Sequence, residues 1–171
     1  MSDSKFVVFS MDIEEWYHLD YFSEINSNQG HSFFDGINTY CDILNKHKIP
    51  SSFFVLGEIA ESIGSLLSEI ISENHEIGSH GYTHKRPIKT STSEFYQELI
   101  KSKKVIENVI SKPVEGYRAS CFSLDRDRLD QVKSAGFKYD SSRIDFSSHP
   151  LYETIDMYGY DIIKPNIYKN N

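Results

Sequence analysis

The sequence is poor in cysteine and in positive charge, and each shortage disfavours a class of protein. Its 171 residues include two cysteines, Cys41 and Cys121. A disulfide framework and a cysteine-based zinc site are therefore both disfavoured, and two reduced thiols are expected. Lysine and arginine number 18 against 25 aspartates and glutamates, a net charge of −7. That balance argues against nucleic acid as a partner.

Long apolar runs are also missing. Phe53–Leu56 is one of the longest, whereas a membrane span takes about 20 apolar residues. The first five residues include an acid and do not show the basic region, apolar stretch and cleavage site of a signal peptide. We therefore expect a cytoplasmic protein with no membrane span.

What the chain does have is a regular alternation of apolar runs and amphipathic segments. With 39% apolar and 25% charged residues it can bury one core, and we expect a single domain over residues 1–171. The alternation predicts a parallel sheet or barrel with helices outside. The predicted strands are Lys5–Met11, Ser51–Leu56, His75–Ser79, Val114–Tyr117 and Phe137–Tyr139, and the predicted helices are Phe33–Lys48, Glu58–Glu73, Ser93–Ile110 and Arg126–Ala135.

The remaining stretches are predicted to be irregular. Residues 23–32 and 143–152 have the composition of loops, and the polar tail at residues 165–171 is expected to fray.

Polar side chains follow three of the predicted strands. Asp12 and Glu14 come after the first strand, His80 and His84 after the third, and Arg118 after the fourth. Active sites in folds of this class lie at the carboxyl ends of the strands. We therefore expect these five side chains to meet at one rim.

The acidic pair suits a division of roles. On an extended backbone Asp12 and Glu14 point to the same side, whereas Glu15, a third candidate, points with Ile13 to the other. In such a pair, one carboxylate can bind a metal while the other transfers protons. A solvated acidic loop is the alternative interpretation.

The two histidines carry the stronger signal. His80 and His84 are spaced to share one face of a helix, and two imidazoles with a carboxylate and an open position are typical of catalytic zinc or iron. A structural role for either histidine is the alternative. The segment from His75 to His80 does not fit the HExxH motif, since its second histidine comes one residue late. Arg118 could orient a carboxylate or form a surface ion pair.

Five segments together resemble one known family, the polysaccharide deacetylase (NodB homology, carbohydrate esterase family 4) superfamily. The resemblance covers roughly residues 5–145 in the family's order and is more specific than any single motif. The segments are Ser10-Met11-Asp12-Ile13-Glu14-Glu15-Trp16-Tyr17-His18, Ser51-Ser52-Phe53-Phe54-Val55-Leu56-Gly57, His75-Glu76-Ile77-Gly78-Ser79-His80-Gly81-Tyr82-Thr83-His84, Gly116-Tyr117-Arg118-Ala119-Ser120-Cys121-Phe122-Ser123 and Gly136-Phe137-Lys138-Tyr139-Asp140-Ser141-Ser142.

The resemblance implies a distorted (β/α) barrel of the NodB type and a hydrolase that removes N- or O-acetyl groups from an acetylated saccharide. It implies a divalent metal, with zinc as the expected ion. By position, the catalytic residues would be Asp12 as base and Arg118 as its partner, the metal ligands Glu14, His80 and His84, and the substrate contacts Trp16, Tyr17, Cys121 and Phe122.

The sequence also departs from the family pattern. Ser120 stands where the family usually has proline. The family's last motifs, with a histidine that acts as general acid, are not matched, and His149 lies in a different context. We therefore expect an incomplete barrel, and its unpaired strand edge could favour homo-oligomers. The alternative functions are an impaired remnant that binds sugar or a partner protein, and a metal-free amidase of the same superfamily.

Overall fold

A computed structural model of the chain describes residues 7–19, 32–144 and 154–170. Its centre is a sheet of five parallel strands whose spatial order follows the chain. The predicted α/β class with a parallel sheet is therefore confirmed, and the sheet is consistent with part of a barrel. The strands are β1 (Phe9–Ile13), β2 (Ser51–Val55), β3 (Glu76–Ser79), β4 (Gly116–Tyr117) and β5 (Tyr139–Asp140).

Helices connect the strands and bury one side of the sheet. Ile13, Phe53 and Val55 from the sheet are fully buried, as are Leu67 and Leu99 from the helices. Burial of such side chains is the main force that holds the layers together. The helices are α1 (Ile37–Lys46), α2 (Gly57–Ala60), α3 (Gly64–Ser72), α4 (Thr92–Ile110) and α5 (Arg126–Ser134), with short 3-10 helices at Trp16–His18, Phe33–Gly36, Pro87–Lys89 and Ser120–Phe122.

The sequence located several elements within a residue or two. Helix α4 begins after Ser91, whose side chain accepts a hydrogen bond from the backbone N–H of Glu94 at 3.2 Å. Helix α5 is followed by Gly136 with φ +82°, the left-handed conformation that ends helices. Cys41 and Cys121 are not joined by a disulfide in the described residues.

Other boundaries differ from the prediction. Strand β1 runs to Ile13, because its last residues pair with Phe54 and Val55 of β2. The single helix predicted over residues 58–73 is two helices, α2 and α3, separated by a turn before Gly64. Residues 1–6, 20–31, 145–153 and 171, which include parts of the predicted loops, lie outside the described residues.

Part of the tail expected to fray, residues 165–170, is described by the structure and contributes to a hairpin. Residues Asp161–Lys164 (β6) and Ile167–Lys169 (β7) form an antiparallel hairpin, with Asn166 at φ +60° in its turn. The guanidinium of Arg126 on α5 donates to two carbonyls that lead into the hairpin. None of the helices in the described ranges is both long and apolar enough to cross a membrane.

Candidate metal centre

Three strand ends bring the predicted polar side chains to one rim. Glu14 follows β1 directly and His80 follows β3 directly. The backbone N–H of His80 donates to the carbonyl oxygen of Val55 on β2 at 2.8 Å. Arg118 follows β4, and its N–H donates to Ser79 O at 2.9 Å. The parallel ladder therefore continues one residue past the strands and fixes where each side chain starts.

Glu14, His80 and His84 converge on one point. Glu14 Oε2 lies 2.9 Å from His84 Nε2 and 3.8 Å from His80 Nε2. One potential ligand atom from each residue lies within 4.8 Å of the other two. The two histidines are buried and the Glu14 side chain is 16% exposed. This is a carboxylate and two imidazoles at the spacing that one cation requires.

His80 and His84 meet through a turn and not through the helical face that their spacing predicted. The segment after β3 is non-helical, and Gly81 has φ +94°, which a helix cannot accommodate. The Gly81 N–H donates to Ser79 Oγ at 3.1 Å. Thr83 is held by Glu98 on α4, which accepts from both its N–H and its hydroxyl.

The hydrogen bonds around His80 suit a metal ligand. Its Nδ1 lies 2.9 Å from the carbonyl oxygen of Arg118, which can only accept, so Nδ1 carries the proton. Nε2 is then left with a lone pair facing Glu14. Holding one ring nitrogen by a carbonyl is the usual way in which a protein orients a ligating histidine.

Glu14 Oε2 and His84 Nδ1 are buried and have no well-oriented hydrogen-bond partner among the described residues. A buried carboxylate oxygen without a donor is costly unless a cation occupies the space beside it. The donor set therefore fits a divalent ion.

Burial and charge interactions shift two pKa values in this cluster. Burial raises the pKa of Glu14, but the close contact with His84 and the charges of His80 and His84 outweigh burial, so the pKa lies below its usual value. Burial lowers the pKa of His80 more than Asp12 and Glu14 raise it. Both shifts favour the ligating forms, an ionised carboxylate and a neutral imidazole.

Arg118 holds Asp12 beside the cluster. The Arg118 Nη1 donates to Asp12 Oδ1 at 2.9 Å, and Asp12 Oδ2 lies 3.9 Å from His80 Nε2. The other guanidinium nitrogens donate to Ser10 Oγ at 2.9 Å, Ser141 Oγ at 2.8 Å and Ser141 O at 3.3 Å. The ring of Phe54 stacks 4.2 Å from the guanidinium. These hydrogen bonds and the stacked ring hold the guanidinium in place, and the guanidinium in turn holds the carboxylate of Asp12.

Sequence reasoning missed the roles of three serines. Ser10 and Ser141 fix Arg118, and Ser120 donates to His80 O at 3.2 Å. All three lie inside the motifs quoted above, so their positions in those motifs were the available signal. Ser120 replaces the family's usual proline, and its hydroxyl ties the turn after Arg118 to the strand end that carries His80.

The predicted substrate contacts lie in the segments that follow β1 and β4. Trp16 and Tyr17 pack edge to face at 5.6 Å, and Tyr17 is 39% exposed. Cys121 and Phe122 both have positive φ, +53° and +51°, which is strained for residues with side chains. The Phe122 ring lies 5.5 Å from the guanidinium of Arg118. Glu15, the third acid, is buried and accepts from Ser32 Oγ.

Comparison with known proteins decides the family. A family model for polysaccharide deacetylases matches residues 33–139. The chain belongs to the polysaccharide deacetylase family. It is 28% identical over 117 residues to the peptidoglycan deacetylase of Helicobacter pylori, covering 68% of this chain and 40% of that protein. It is also 28% identical over 82 residues to the chitooligosaccharide deacetylase of a Bradyrhizobium species, covering 45% of this chain and 37% of that one.

Solved structures agree on the fold of this deacetylase-family chain. It superposes with a TM-score of 0.66 and 19% identity on a carbohydrate esterase family 4 pseudoenzyme from Bacillus anthracis, covering 81% of this chain and 43% of the other. The chain spans less than half the length of these relatives.

Proposed function

We propose that the chain is a metal-dependent hydrolase that removes N- or O-acetyl groups from a saccharide. The observation that carries the proposal is the convergence of Glu14, His80 and His84 within 4.8 Å, with Asp12 beside them. Zinc is the expected ion, since two imidazoles and a carboxylate with an open position are its usual catalytic ligands.

The residues around the cluster divide the chemistry. A divalent cation held by Glu14, His80 and His84 would polarise the acetyl carbonyl and lower the pKa of a water. Asp12 would accept the proton of that attacking water. Arg118 would keep Asp12 oriented through its charge-assisted hydrogen bond.

The substrate proposal combines the relatives and the rim. The matched relatives are named deacetylases of peptidoglycan and chitooligosaccharide, so we propose an acetylated amino sugar. Trp16 and Tyr17 would stack on a sugar ring, and Phe122 would line the same rim. A backbone N–H near Cys121 would stabilise the developing oxyanion. A cytoplasmic location and homo-oligomers stay predictions.

Two alternatives have different ligand requirements. A pseudoenzyme has the same fold, so a chain that binds sugar without turning it over is the second candidate. A metal-free amidase is disfavoured by the clustered Glu14, His80 and His84.

The deciding experiment measures metal binding and acetate release on the purified protein. We expect wild type to bind about one equivalent of zinc and to release acetate from an N-acetylglucosamine oligomer. His84→Ala should lose the metal. Asp12→Asn should keep it and lose activity by about 10²–10⁴-fold. Asp42→Asn, at an exposed position on α1, is the matched control. Wild type without zinc, or an active Asp12→Asn variant, would contradict the proposal.

A further inference from the structure

His18 contacts two segments beside the candidate metal centre, the backbone after Glu14 and the side chain of Glu58. It lies in the 3-10 helix that begins two residues after Glu14, and its side chain is 10% exposed. The backbone N–H of Glu15 donates to His18 Nδ1 at 2.8 Å. That amide shares its peptide plane with the carbonyl of Glu14. His18 therefore fixes the backbone directly after a proposed metal ligand.

The same bond determines the tautomer of His18. Because Nδ1 accepts, the neutral ring carries its proton on Nε2. Burial lowers the pKa of His18 more than the charge of Glu14 raises it, which favours this neutral form. The Nε2 atom lies 3.4 Å from Glu58 Oε1, so an N–H faces a carboxylate.

Glu58 in turn is attached to the turn that carries the histidine ligands. It lies in the first turn of α2, where the N–H groups of Gly57 and Glu58 donate to Gly81 O at 2.9 Å and Tyr82 O at 3.0 Å. Gly81 and Tyr82 lie between His80 and His84 in the chain. Glu14 is thus linked to His84 through His18 and Glu58, by these contacts and by the short stretches of chain between them. No cation is needed for this linkage.

We propose that the contact between His18 and Glu58, termed the strut, positions Glu14 against His80 and His84, so that the centre is organised before a cation binds. This rests on the proposed function, since it assumes that these three residues hold the metal. Mutation of a residue that contacts the metal ligands without binding the metal typically lowers metal affinity by about 10–100-fold. Organised ligands bind more tightly because less ordering is left for the binding step.

The same geometry argues against a proton-donating role for His18. With Nδ1 accepting from the Glu15 amide, loss of the Nε2 proton would leave an imidazolate, which is inaccessible near neutral pH. His18 is therefore a positioning residue.

The test is a double-mutant cycle read out as zinc affinity by calorimetry. His18→Asn keeps an acceptor oxygen near the position of Nδ1 but is too short to reach Glu58, and Glu58→Ala removes the acceptor that faces Nε2. Each variant should bind zinc about 10-fold more weakly than wild type. The double variant should show the same 10-fold loss, since both changes break one contact. Glu61→Ala, at an exposed glutamate just after α2, is the matched control.

Three results separate this inference from the proposed function. Single variants that bind zinc like Glu61→Ala would overturn the strut and leave the deacetylase proposal intact. Losses that multiply to about 100-fold in the double variant would also overturn it. Wild type that binds no zinc would refute the proposed function, and the strut with it.

A second measurement needs no variant and so does not depend on whether the variants fold. The ¹⁵N chemical shifts of His18 in the metal-free wild-type protein should show a protonated Nε2 and an unprotonated Nδ1. The opposite tautomer would overturn the strut.

Discussion

Arg118 joins residues that are distant in the chain. Its guanidinium contacts Ser10 and Asp12 on β1 and Ser141 just past β5, and Phe54 of β2 stacks on it. The motifs identified Arg118 and Asp12 as a pair, because an arginine beside a carboxylate has a chemical purpose of its own. They did not identify Ser10 or Ser141 as partners, since a serine hydroxyl has no specific chemistry until its neighbours are known.

Asp140 gives a prediction about stability and pH. Burial raises the pKa of Asp140 from 3.8 to about 6, although two hydrogen bonds from Ser142 and the charge of Arg118 oppose the rise. The folded state therefore binds this proton more tightly than the unfolded state. The contribution of Asp140 to stability is complete below pH 3.8 and is lost as the pH rises through 6.

Asp140→Asn should remove this dependence. Relative to wild type, its free energy of unfolding should rise by up to about 2 kcal/mol between pH 4 and pH 7. Urea unfolding at four pH values measures the difference, with the exposed Asp130→Asn on α5 as control. A difference that stays constant with pH would contradict the shift.

At the scale of elements, the cap of α4 can be tested alone. Ser91 accepts from the Glu94 N–H, so Ser91→Ala leaves a helix N–H without its partner. We expect a loss of about 1 kcal/mol in the free energy of unfolding. Ser93→Ala, at an exposed position inside the same helix turn, should change stability by less than about 0.5 kcal/mol. Equal effects in urea unfolding would argue against the cap.

Local patterns predicted the long elements well and the short ones poorly. Helix α4 has a cap and a sustained apolar period, and both are properties of its own sequence. Strands β4 and β5 have two residues each, and their limits depend on pairing with β3 and with each other. The spacing of His80 and His84 is that of one helical face, but the segment between them is a non-helical turn. Its path depends on Gly81 and on contacts with α2 and α4, which no spacing rule contains.

At the scale of the whole molecule, the hairpin of β6 and β7 is attached to α5 through Arg126. Its guanidinium donates to Asp156 O and Tyr158 O at 3.1 Å and lies 4.3 Å from the Tyr160 ring. Arg126→Ala should therefore release the hairpin without unfolding the sheet.

Hydrogen exchange read by mass spectrometry measures this release. With two hydrogen bonds at about 1 kcal/mol each, the amides of β6 and β7 should exchange about 10–30-fold faster. The amides of β2 and β3 should be unchanged, as should all amides in Asp127→Ala, an exposed neighbour on α5. Faster exchange throughout the chain would mean that Arg126 supports the whole fold.

The parallel sheet has a consequence for synthesis. Since the order of β1 to β5 in space is their order along the chain, each strand can add to the last as the polypeptide leaves the ribosome. Asp12 emerges early, but its partner Arg118 follows 106 residues later, so this pair closes a long loop. A nascent chain therefore builds its scaffold first and acquires its reactive centre only when the fourth strand arrives.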